Sequence, residues 1–247
     1  MKRYAVVCEG PSDFVLIKKI TDKLASIYRA DIEILALSPS FDQTSSSWPA
    51  HGWGEVKNWC KKHAEHKDER RLRDLPAAAA AVLRRQTWGN LLRSGNLDGI
   101  ILHIDTDIAS EIRDCGVSFV KSKLSRSAFC KKALLTWLGV QGDPTQHPLH
   151  LITPTYSSEK WILSTYPDEN AIFAELNKPV VFEEIVNPAA LLAQVDEIAT
   201  DSQAKVIKNP LLYEKYGNRI TENFDRVLQK NKEIADLDVR LFHELQV

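Results

Sequence analysis

The chain has no long apolar run. Nowhere in its 247 residues does a hydrophobic stretch approach the ~18 residues needed to cross a bilayer. It shows no signal-peptide pattern either: the sequence runs directly into a β-like stretch, so a cytoplasmic protein is expected. Cysteine is sparse. Cys8, Cys60, Cys115 and Cys130 form no C-x-x-C pair and no framework spacing, which argues against a disulfide scaffold and fits reduced thiols. There is no internal repeat and no low-complexity segment. Charge of one sign is missing as well, with 32 Lys and Arg against 33 Asp and Glu, a net charge of −1.

That neutral average hides a segregated distribution. Between Lys57 and Arg93 there are ten basic residues and four acidic ones, and from Arg113 to Lys132 six against one. The stretch Glu159 to Asp201 reverses the balance, with nine acids and two bases. The basic segments 57–93 and 113–132 would contact the phosphates of DNA or RNA if they share a face, and are otherwise solvated helix surface. A hydrophobic content of 44% and a charged content of 26% are ordinary for a globular protein. The length suits one well-buried domain with an appendage, or two small domains.

Hydrophobic patterning supplies the elements. "RYAVVC" is a short apolar run of the kind expected for a strand covered on both faces. Pro11 then suits the first position of a helix carried by Leu16, Ile17, Ile20, Leu24 and Ile27. "DIEILALS" (31–38), "DGIILHID" (98–105) and "LHLITP" (149–154) read as further strands. Helices are expected over 55–70, 76–94, 118–138 and 157–166, and almost continuously from 188 onward, with breaks near Asn209-Pro210 and Asp236. Strands alternating with helices imply an α/β fold with a mostly parallel central sheet flanked by helices and a helical C-terminal extension. The expected division is a domain over 1–166, with a helical insertion at about 55–95, and an extension over 167–247 packing on it.

Functional groups in an open α/β sheet collect at the carboxyl ends of the strands. Glu9 lies just past the first strand, Asp105 and Asp107 at the end of the third, and Glu159 a few residues past the fourth. Crowded carboxylates repel and raise each other's pKa unless a cation sits among them. Hard oxygen donors in that arrangement suit Mg²⁺ or Mn²⁺ better than zinc. Strand alternation would turn Asp105 and Asp107 to one side and Thr106 to the other. Asp13 can orient a metal-bound water, or serve as an acid favouring the helix N-terminus. Glu159 has the same two readings, with Ser157 as a candidate N-cap.

A strand ending in E-G-x-x-D and a later strand ending in D-x-D resemble the Toprim domain, here through Glu9, Gly10, Asp13, Asp105 and Asp107. The segment Pro154 to Leu163, with Glu159 and Trp161, resembles one found in small stand-alone Toprim-like proteins of bacterial defence and mobile-element loci, related to the Toprim half of OLD-family nucleases. The likeness covers roughly the first 165 residues as an order of motifs. It implies a Toprim-like sheet and an Mg²⁺- or Mn²⁺-dependent endonuclease. Glu9, Asp13, Asp105, Asp107 and Glu159 would be its catalytic residues, and Glu9, Asp105, Asp107 and Glu159 its metal ligands. The regions that mark topoisomerases and replicative primases are missing, and no P-loop is present, so any partner ATPase or sensor would be another chain. The alternatives are a Toprim RNA-processing nuclease and a non-catalytic or partner-activated subunit of an antiviral defence complex.

Several further signals carry competing readings. Cys60, His63 and His66 recur at spacings of three, but lack an evident fourth zinc ligand. Trp48, Trp53 and Trp59 beside the basic stretch suit base stacking or core packing. "HGWG" (51–54) reads as a loop able to cover the site. Lys205, Lys208 and Lys215 are candidates for a phosphate-binding lysine, and Tyr213 and Tyr216 read as helix packing.

Overall fold

The computed structural model describes residues 1–40, 48, 51–66, 69–142 and 146–245. Four strands, β1 (Lys2–Val7), β2 (Ile32–Ser38), β3 (Gly99–His103) and β4 (Leu149–Ile152), form one all-parallel sheet in the order β2-β1-β3-β4. α1 (Pro11–Tyr28) joins β1 to β2. Pro11 sits in its first turn, where a missing N–H costs nothing, and Arg29 ends it in the left-handed conformation (φ 54°). The chain then crosses to the far side of β1 through α2 (Trp53–Lys62), α3 (Glu69–Arg73), α4 (Ala77–Arg85) and α5 (Trp88–Gly95). α6 (Phe119–Ser122) and α7 (Arg126–Leu138) lead from β3 to β4.

Connection handedness fixes the layers. Parallel crossovers are right-handed, so a step from β1 to β2 and steps in the opposite direction must use opposite faces. Leu16, Ile17, Ile20 and Leu24 of α1 accordingly pack in one core with Tyr4 and Val6. Val56, Trp59, Trp88 and Leu92 pack in the other, with Phe129, Ala133 and Leu134 of α7. The two basic segments thus lie on the same side of the sheet.

One helix about 10 Å wide cannot cover a face roughly 19 Å across. The C-terminal part supplies the rest. After β4 come α8 (Glu159–Leu163), α9 (Pro188–Leu192), α10 (Pro210–Glu222), α11 (Phe224–Lys230) and α12 (Lys232–Leu245). Tyr213, Ile220, Phe224, Val227, Leu237 and Leu241 join the α1 core. α10 lies so close to α1 that a Cβ at Gly217 would stand 2.7 Å from Lys19 Cγ. Among the described residues, no helix is long and apolar enough to cross a membrane.

The helices are more broken than the periodicity predicts. In the 55–70 region α2 stops at Lys62, and the His63 carbonyl accepts from the Trp88 N–H (2.7 Å) instead of continuing the helix. The 76–94 helix is interrupted at Thr87, whose hydroxyl caps α5 by accepting from Asn90 N–H at 3.2 Å. The 118–138 helix breaks at Lys123 (φ 57°), and Ser125 restarts it as the N-cap of α7. From Ala193 to Asn209 the chain is not helical. Asp201 Oδ1 accepts from the N–H groups of Gln203 (2.8 Å) and Lys205 (3.0 Å), the local turn in which Asp competes with helix. The expected break at Asp236 is absent, because α12 runs through it. The break falls instead at extended Asn231, whose buried side-chain amide donates to Ser164 Oγ and to the Val227 carbonyl, both at 2.8 Å.

Candidate metal centre

Strand order reverses between β1 and β3, so their carboxyl ends open into the crevice where open α/β sheets gather functional groups. Glu9 leaves β1 there and Asp105 leaves β3, and one chain of hydrogen bonds ties them together. Glu9 Oε1 accepts from the Asp105 backbone N–H at 2.7 Å, and Asp105 Oδ1 accepts from the Ser158 N–H at 3.0 Å. The Ser158 hydroxyl donates to Asp13 Oδ1 at 2.7 Å. Ser158, not Ser157, precedes α8, and its hydroxyl binds Asp13 instead of capping the helix. Asp13 is buried in the first turn of α1, at the helix N-terminus and within hydrogen-bond reach of Ser158.

The neighbouring loops are fastened to each other. Thr106 Oγ1 donates to the Pro154 carbonyl (2.9 Å) and accepts from Tyr156 N–H (2.8 Å). The N–H groups of Thr106 (2.8 Å) and Asp107 (3.0 Å) donate to the Tyr156 carbonyl, with Tyr156 held at φ 67°. Gly52 of "HGWG", at φ 104°, donates its N–H to the Glu9 carbonyl at 2.6 Å, so that loop does abut the site.

Among the described residues, one set of side chains places potential ligand atoms within 4.8 Å of one another: Asp13, His103 and Asp105, all buried. His103 was not anticipated; it is the last residue of β3, two before Asp105. Its Nε2 lies 3.5 Å from Asp105 Oδ1, too far to hydrogen-bond, and neither ring nitrogen has a hydrogen-bond partner. Burial lowers its pKa, which keeps the ring neutral with a lone pair available. Such an unpartnered polar group is costly unless a ligand satisfies it. The donor set therefore fits a divalent cation, with two carboxylates and one neutral imidazole.

The other expected residues surround this set. Glu9 is partly buried; its pKa is pushed up to about 8, first by burial and then by the Asp13 charge. Burial, then Glu9 and Asp13, raise Asp105 well above the carboxylate range. Glu159 is fully buried. Burial is the largest influence and pushes its pKa up, but the Lys208 charge and the hydrogen bonds to the carboxylate, Tyr213 among them, together hold it below the ordinary value. Lys208 Nζ stands 3.1 Å from Glu159 Oε1, the Tyr213 hydroxyl donates to the same oxygen at 2.7 Å, and Oε2 has no partner. Of the three candidate lysines the fold brings Lys208 to the acids, and Tyr213 is a site residue as well as a packing one.

Asp107 departs from its expected geometry. β3 ends at His103, and Asp107 opens a 3-10 turn (Asp107–Ser110), so strand alternation does not extend to it. It is exposed while Asp105 and Thr106 are buried. Cys60, His63 and His66 do not come together: Cys60 is buried, His63 Nδ1 lies 3.0 Å from the Trp59 carbonyl, and His66 is exposed. Of the tryptophans, Trp59, Trp88, Trp137 and Trp161 are core residues.

Comparison of the chain with protein-family models, with curated protein sequences and with solved structures gives no match in any of the three. The fold and the site define an α/β protein with a buried Asp-His-Asp group able to bind a metal, compatible with a metal-dependent enzyme.

Proposed function

We propose that this chain is a divalent-metal-dependent phosphodiesterase that hydrolyses nucleic acid. The observation that carries the reading is the convergence of Glu9, Asp13, Asp105 and Glu159 at the carboxyl ends of parallel strands, around a neutral His103 with no hydrogen-bond partner. Structural carboxylates are matched by cations. Here Lys208 is one cation among several acids, and the imbalance leaves room for a doubly charged ion. Mg²⁺ or Mn²⁺ suits the carboxylates, and the imidazole favours Mn²⁺ of the two. The E-G-x-x-D and D-x-D motifs, in their resemblance to Toprim, point the same way.

Asp13, His103 and Asp105 would hold the ion, with Ser158 fixing both carboxylates. Bound there, the ion supplies the positive charge that stabilises a phosphodiester under attack. Glu9 holds its proton in the metal-free site; the positive charge of a bound ion would lower its pKa and leave it able to take the proton of an attacking water. Lys208 keeps Glu159 ionised at the edge of the site. Basic side chains of 57–93 and 113–132 would bind the backbone with little sequence preference.

The test is incubation of supercoiled plasmid, linear duplex, single-stranded DNA and structured RNA with Mg²⁺ or Mn²⁺. Wild-type chain should cut at least one of them, and Glu9→Gln and Asp105→Asn should each lower the rate by about 10³-fold. Equal cutting by all three proteins, or none by wild type, overturns the reading.

A further inference from the structure

A cavity of about 510 Å³ opens between the start of α7, the loop after β4 and α12. That volume lies within the range of about 300–1,000 Å³ typical of small-ligand sites. Its walls include Arg126, Ala128, Lys131, Tyr156 and Lys232. It adjoins the candidate metal centre through shared backbone: Arg126 Nη1 donates to the carbonyls of Thr106 (3.0 Å) and Asp107 (3.3 Å). The Arg126 guanidinium lies 4.6 Å from the Tyr156 ring centroid and 5.2 Å from that of Phe119.

Charge around the cavity is unequal in a specific way. Glu233 is met by Lys160 at 3.1 Å and by the Trp161 indole N–H at 2.7 Å. Asp236 is shared by Lys232 (2.7 Å) and Lys131 (3.6 Å), and Glu183 lies 3.8 Å from Lys160. Glu183 and Glu233 thus share Lys160, while Asp236 has two lysines. Arg126 makes no ion pair among the described residues, and its Nε and Nη2 donors remain for a ligand. A guanidinium held against a tyrosine ring, with two lysines sharing one carboxylate beside it, offers an anion a charged fork and a base an aromatic wall.

We propose that this cavity is the subsite for the nucleotide next to the scissile phosphate. Arg126 binds its phosphate and Tyr156 packs against its base. The assignment rests on the phosphodiesterase reading of the acids. It makes Arg126 a binding residue that also positions the loop carrying Asp105 and Asp107.

The experiment measures binding of short fluorescein-labelled single-stranded DNA and RNA by anisotropy in Ca²⁺. Alongside it, the Mn²⁺-induced rise in melting temperature is recorded. Arg126→Gln removes the charge, and Ala128→Trp fills the cavity from an exposed position that touches none of the acids. Each variant is expected to weaken binding by about tenfold or more. Arg126→Gln should also reduce the slope of log affinity against log salt by about 0.7, the value of one phosphate contact on a single strand. Ala128→Trp should keep the full Mn²⁺ response. If both variants bind within about twofold of wild type, the subsite is wrong while the phosphodiesterase reading stands. If wild type binds neither nucleic acid, the subsite falls together with the nucleic-acid substrate, and a retained Mn²⁺ response would leave the metal centre in place.

Discussion

Two buried charged clusters meet at α8, and they are built on opposite rules. Lys160 and Trp161 face Glu233, with the ammonium at 3.1 Å and the indole N–H at 2.7 Å from the same carboxylate oxygen. Glu159, one residue earlier, faces Asp105 and Lys208 on the other side. In the first cluster, cation and anion cancel. In the second, Glu9, Asp13, Asp105 and Glu159 have Lys208 as their cation among the described residues, and two of the carboxyls respond by holding their protons. Balanced burial ties α8 to α12. Unbalanced burial has no such structural use, and it is what the proposed metal site would require.

The comparison breaks most sharply by removing one partner from each cluster. Lys160→Met strands Glu233 in the interior and should cost about 3–5 kcal/mol in urea denaturation. Asp105→Asn instead removes an acid whose folded-state pKa is raised by burial and its neighbours, so at neutral pH the metal-free chain should gain stability while its Mn²⁺-induced thermal shift disappears. Equal destabilisation by both would mean that the acids are as structural as the pair behind them.

A smaller effect comes from pH. Glu9 carries a folded-state pKa of about 8 against an ordinary 4.5, so between those values the unfolded chain loses its proton first. The contribution of Glu9 to stability is therefore full below 4.5 and is lost as pH rises toward about 8. Glu159, held low by Lys208, works the other way, and its contribution is lost as pH falls through its depressed range. Melting temperatures in EDTA should decline across the Glu9 window, and Mn²⁺ should flatten or reverse that decline. Parallel profiles with and without Mn²⁺ would remove the link between the raised pKa values and a cation. Tyr213→Phe, the mildest change, leaves Glu159 Oε1 to Lys208 and should cost about 1 kcal/mol without abolishing the Mn²⁺ response.

Much of this was legible in the letters. Apolar runs located all four strands to within a few residues; the signal is strongest for β3, where burial of every residue leaves little choice. Glu9, Asp105 and Glu159 were legible as acids at strand ends and Asp13 as an acid at the start of a helix, and the fold draws the four together. His103 was hidden because a histidine inside "IILHID" reads as part of the strand, and its lack of hydrogen-bond partners is a three-dimensional property. Asp107 was misjudged in geometry because periodicity cannot show where a strand stops and a 3-10 turn begins. Lys208 was one of three equivalent lysines until the turn built by Asp201 fixed the path into α10. Helix interruptions at Thr87, Lys123 and Asn231 rest on single side-chain caps or one left-handed residue, which a hydrophobic stripe does not record.

The dependence of the α1 face on residues far along the chain has a consequence for biosynthesis. A ribosome delivers all four strands and α1 well before Tyr213, Ile220, Leu237 and Leu241 emerge to close that core. Until then the nascent chain presents an open apolar surface, and Glu159 lacks both Lys208 and Tyr213. The half-made protein thus has both an open core and an incomplete site, and the same late segment that buries the sheet also completes the site.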